Sequence, residues 1–168
     1  IRKLRKDIYM NSIELAINME LDSKRYYLEQ ADRAEDSGLK TIFHTLAEEE
    51  SIHARILKSK SETLPYELID TNSEIKNIFM EIGSYKSLIK QSPDAIDVYT
   101  FALKNEQKSL ELYRGMLQET SDEKEKKIYE FLIEQENDHH KVLEQLLELV
   151  RRHEEWIESA EFGLRKEY

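Results

Sequence analysis

Four glutamates stand at positions where the surrounding pattern calls for hydrophobes. Glu20 shares a helix face with Ile13, Ala16, Ile17 and Tyr27, and Glu50 with Phe43, Leu46, Ala47, Ala54 and Leu57. Glu106 sits among Tyr99, Ala102, Leu103, Leu110 and Tyr113, and Glu136 among Tyr129, Leu132, Ile133 and Leu143. Residues three, four and seven apart lie on one side of a helix, so each carboxylate points toward a core. A buried carboxylate without a partner costs several kcal/mol, and four at one level would also repel one another. Protonation would relieve this conflict; a simpler remedy is two divalent cations, which bring four positive charges against four negative ones. His53 follows Glu50 by three residues and His139 follows Glu136 by three, so each Glu-x-x-His unit can present both side chains to one metal. Oxygen and imidazole donors without thiolate suit iron or manganese rather than structural zinc. The expected metal ligands are therefore Glu20, Glu50, His53, Glu106, Glu136 and His139.

Neighbouring residues read differently. His140 points about 100° away from His139 on the same helix and stands as the alternative ligand. His44 and His153 receive no role. Glu48, Glu49, Glu134 and the run Asp122 to Glu125 read as solvated. Tyr27 and Tyr113 each lie two turns beyond the first glutamate of their pair, on the same face. They either pack in the core or hydrogen-bond the ligand carboxylates, orienting them and helping to manage radical chemistry.

Long helices must hold these groups. The chain has 168 residues, four Gly, two Pro and 36% charged residues, a composition dominated by helix formers. This length suits one domain with a sizeable core, expected to span 1–168. Helical periodicity predicts helices over about 4–36, 39–61, 93–119 and 122–150. The first is expected to stop at Ser37-Gly38. Ser92-Pro93 offers an N-cap and a first-turn proline for the third. A connector over about 62–92 carries a short helix near Glu74 to Lys90. The tail, 151–168, adds a further helical turn or two, with Trp156, Ile157 and Phe162 available to dock. Short links within pairs and a long link between them define an all-α four-helix bundle with a crossover between helices 2 and 3.

The two pairs also resemble each other. Advancing by 86 residues carries Ala16, Glu20, Tyr27, Leu46, Glu50, His53 and Leu57 onto Ala102, Glu106, Tyr113, Leu132, Glu136, His139 and Leu143. An internal duplication would set two related hairpins about a pseudo-twofold centre.

Absent cysteine removes disulfides, thiolate metal sites and thiol catalysis. The net charge of −10 argues against nucleic acid. No apolar run approaches the roughly 18 residues a membrane span requires. Basic IRKLRKD is followed by no apolar run of signal-peptide type, so the cytoplasm is the expected compartment.

Glu20, Glu50-Ser-Ile-His53, Glu106 and Glu136-Asn-Asp-His139, over about residues 5 to 150, resemble the rubrerythrin branch of the ferritin-like superfamily. That resemblance implies a non-haem centre of two Fe ions reacting with hydrogen peroxide or dioxygen. Glu50 and Glu136 would bridge, Glu20 and Glu106 would be terminal, and each histidine would bind one metal. Tyr27 and Tyr113, with the bridging pair, are the candidate catalytic residues. Rubrerythrins proper carry a rubredoxin-like domain built on four cysteines; here electrons must come from a separate donor such as a rubredoxin. They also carry an extra carboxylate three residues from the third-helix ligand, where this chain has Leu103 and Ser109. The expected function is an oxidoreductase reducing peroxide or dioxygen, with a homodimer as the assembly. A ferritin-type ferroxidase or storage protein and a manganese catalase-like enzyme are the alternatives.

Overall fold

The computed structural model describes residues 2–69 and 94–164. Four helices account for most of them: α1 (Arg2–Arg33), α2 (Ser37–Ser61), α3 (Ala95–Glu119) and α4 (Glu123–Leu164), with no strand among the described residues. α1 packs along α2 and α3 along α4, and α1 also meets α3. The chain is thus an all-α four-helix bundle with its long connection between the second and third helices. No described helix is long and apolar enough to cross a membrane.

Helix ends follow local chemistry. Ser37-Gly38 does not close α1 as expected; it opens α2. Asp36 is the reason, since its Oδ1 accepts the backbone N–H groups of Gly38 at 2.8 Å and Leu39 at 3.0 Å. Those donors have no partner inside the helix, so a short acceptor just before them sets the start. α2 closes where Thr63 turns left-handed, at φ 56°. This lets the Leu64 N–H reach the Ser59 carbonyl at 2.8 Å and the Thr63 N–H reach Lys60 at 3.2 Å, a Schellman closure without glycine. Asp122 starts α4 by accepting from the Lys124 and Glu125 N–H groups at 2.8 and 3.4 Å.

α4 continues past the expected stop at 150 to Leu164, so the tail extends the fourth helix. No glycine or proline interrupts it before Gly163. Ile157 is exposed rather than docked. The side chains of Trp156 and Phe162, the Ser92-Pro93 start and the helix expected near Glu74 to Lys90 lie outside the described residues.

The apolar interior is divided in two. One cluster is built on Tyr27, Ile42, Phe43, Leu46, Tyr99, Leu143 and Leu146, the other on Ile13, Leu57, Tyr113, Ile128, Tyr129 and Leu132. The Glu-x-x-His level of each hairpin lies between the residues of these clusters, in a part of the bundle that hydrophobes do not fill.

Candidate metal centre

All six expected ligands are buried to within 1% of full exclusion from solvent. They form two groups, Glu20, Glu50, His53 and Glu136, and Glu50, Glu106, Glu136 and His139. In each group one donor atom per residue lies within 4.8 Å of the others. Nδ1 of His53 stands 2.9 Å from Glu136 Oε1, 3.4 Å from Glu20 Oε2 and 3.5 Å from Glu50 Oε2. Nδ1 of His139 stands 3.4 Å from Glu50 Oε1, 3.6 Å from Glu106 Oε2 and 4.0 Å from Glu136 Oε2. Glu50 and Glu136 therefore each turn one oxygen toward either histidine. The imidazoles lie nearly parallel, with centroids 5.5 Å apart.

Tyr27 and Tyr113 complete the layer by crossing between hairpins. The Tyr27 hydroxyl, on α1, donates to Glu106 Oε1 on α3, and the Tyr113 hydroxyl, on α3, donates to Glu20 Oε1 on α1. Each bond engages one oxygen and leaves the other, Oε2, facing the cluster. The exchange follows the 86-residue relation, so the two contacts are pseudo-twofold copies. Both tyrosines are buried in the core, and both hydrogen-bond a carboxylate of the cluster.

Electrostatics shows the strain of holding these groups together. Burial, and then Glu50, push the Glu20 carboxyl up to about 8. Burial and repulsion from Glu50, Glu20 and Glu106 carry Glu136 well above the usual carboxylate range. Burial would raise Glu50 too, but the close approach of Glu20, His139 and His53 wins and holds it low. Burial opposes charge on both histidines, yet the surrounding carboxylates raise them well above the ordinary imidazole value. Burial and the neighbouring carboxylates likewise raise Tyr27 and Tyr113, keeping both as protonated donors.

The donor set fits divalent metal. Glu20 Oε2, both oxygens of Glu50, Glu106 Oε2, Glu136 Oε1 and the Nδ1 atoms of His53 and His139 are buried with no hydrogen-bond partner. Buried polar atoms are nearly always paired. Here the unpaired ones converge, and they are the oxygen and nitrogen donors that iron or manganese accepts.

Two acids were misplaced by the sequence reading. Glu49, expected in solvent, is 1% exposed, and its Oε2 accepts from His139 Nε2 at 2.6 Å. Its signal was present: Ile42, Leu46, His53 and Ile56 lie at helical spacing from it. Glu125 is half-buried rather than solvated, paired with Lys60 at 2.8 Å and accepting from the Thr120 hydroxyl at 2.6 Å. His140 stands outside both groups, 3.6 Å from Glu144, and His44, Glu48 and Glu134 are exposed. The His153 side chain lies outside the described residues.

Helix order, the long second connection and a buried carboxylate–imidazole layer define a ferritin-like bundle with an interior cluster of the metal-binding kind. The family model for rubrerythrin matches residues 11–147, well over half of the chain, and the chain belongs to the rubrerythrin family. No curated protein and no solved structure matches it.

Proposed function

We propose that the chain is a non-haem di-iron oxidoreductase that reduces hydrogen peroxide or dioxygen with electrons from a separate protein donor. The observation that carries this reading is the sharing of Glu50 and Glu136 between the two ligand groups. A pair of ions held by two common carboxylates can together deliver two electrons to one small oxidant. Glu20 and His53 would hold one ion from one side, and Glu106 and His139 the other. When bound, two ferrous ions supply one electron each and polarise the O–O bond.

The chain's own residues prepare that site. Tyr27 and Tyr113 fix the terminal carboxylates through hydrogen bonds from the opposite hairpin. The two apolar clusters flanking the layer limit water around it, which strengthens every charge interaction within. These 168 residues contain no cysteine to bind iron as a rubredoxin does, and a rubredoxin is a donor of suitable chemistry.

Peroxide decay under anaerobic conditions tests the reading. Protein loaded with Fe(II) is expected to consume added peroxide far faster than the same protein after chelation. Equal rates would overturn the peroxide reading.

A further inference from the structure

The pseudo-twofold relation does not hold for the residue that precedes each Glu-x-x-His unit. Advancing Glu49 by 86 positions gives Gln135, so a carboxylate in one hairpin corresponds to an amide in the other. Both are 1% exposed. Behind His139, Nε2–H donates to Glu49 at 2.6 Å. His53 Nε2 is buried with no hydrogen-bond partner, and its ring meets Phe131 edge-on at 6.5 Å. The side chains facing the cluster match in kind, whereas the surroundings behind the two imidazoles do not.

That difference has a direct consequence for metal binding. Once a metal has displaced the inner proton, a carboxylate on the outer ring nitrogen keeps the remaining proton there and leaves the inner nitrogen's lone pair for the ion. It also raises the donor strength of that nitrogen and adds negative charge on the side where a cation would sit. His53 has no such partner to select its tautomer. Glu49 lies across the bundle on α2 while His139 is on α4, so the bond also pins the two hairpins where the ligand oxygens converge.

We propose that Glu49 makes the two halves of the centre unequal, so that the half formed by Glu106 and His139 fills with a divalent ion before the half formed by Glu20 and His53. The inference rests on the reading of the cluster as a two-metal centre and assigns Glu49 as a positioning residue for it. Repulsion between two dications separates two binding steps even in a symmetric site. The telling quantities are therefore which end fills first and how that step responds to Glu49.

Anaerobic calorimetric titration of the chelator-treated chain with Co(II) measures both steps. In the wild-type chain, Glu106→Gln should abolish the tighter step, while Glu20→Gln should leave it in place. Glu49→Gln, which keeps the side-chain shape, should weaken the tighter step about 10- to 100-fold, the usual effect of removing such an outer partner. Glu49→Asp should restore part of the loss, and Gln135→Glu should tighten the weaker step. Glu49→Gln weakening both steps alike or neither, or Glu20→Gln and Glu106→Gln acting alike, would overturn the inference while the two-metal reading stands. Wild-type protein that binds no Co(II) would overturn that reading and the inference with it.

Discussion

Glu50→Ala, loaded anaerobically with Fe(II) and freed of excess metal, is expected to retain almost no iron, whereas Glu20→Ala and Glu106→Ala each retain about one ion per chain. The contrast follows from how the carboxylates are shared. Glu50 Oε1 faces His139 and Glu50 Oε2 faces His53, so its loss strips an oxygen from both groups. Glu136 is shared in the same way, and Glu136→Ala should behave like Glu50→Ala. Glu20 and Glu106 each belong to one group only. Removing either leaves the other ion with two shared carboxylates, a terminal carboxylate and an imidazole. Equal iron retention in all four variants would show that Glu50 and Glu136 are not bridging residues.

The metal-free protein should become less stable as pH rises from about 5 to 9, by several kcal/mol in total, and metal should reverse the trend. Glu20 titrates near 8 in the fold rather than at its ordinary 4.5. A carboxyl raised in this way contributes stability below its unfolded value and loses that contribution as pH climbs through its folded value. Glu136, raised further still, acts in the same direction. So do His53 and His139, whose protonated forms the surrounding carboxylates favour. Glu50 is lowered, so its contribution is already complete above the ordinary carboxylate value and does not oppose the others in this range. Bound ions need deprotonated ligands, so metal uptake releases protons and tightens as pH rises. Denaturant unfolding of chelated protein at pH 5.5, 7 and 8.5 measures the effect. Stability that stays level or increases across that range would contradict the charge arrangement described for the cluster.

Much of the architecture was legible because the helices are long and amphipathic. A buried stripe repeating every three to four residues over some 25 residues is hard to mistake, and α2 and α3 follow it closely. The 86-residue offset added what periodicity alone lacks: it paired Glu20 with Glu106 and His53 with His139 before any geometry was known. Glu49 was missed because adjacent helical residues point about 100° apart, and only one of two neighbouring glutamates was assigned to the core. α2 meets α1 along one side and the cluster along another, so its buried sector is wide enough for Glu49 and Glu50 together. The α1–α2 boundary was misread because Ser37-Gly38 suits a helix end by residue type. Asp36 decides otherwise through two hydrogen bonds that depend on its position alone. No spacing rule could have shown that Tyr27 and Tyr113 each serve the glutamate of the opposite hairpin, because that depends on how α1 and α3 meet.

Iron analysis of the wild-type chain, loaded anaerobically with Fe(II) and separated from excess metal, tests the central claim most directly. About two ions per chain is the expected result, matching two ligand groups joined by Glu50 and Glu136. A chain that remains helical by circular dichroism yet carries essentially no iron would contradict it.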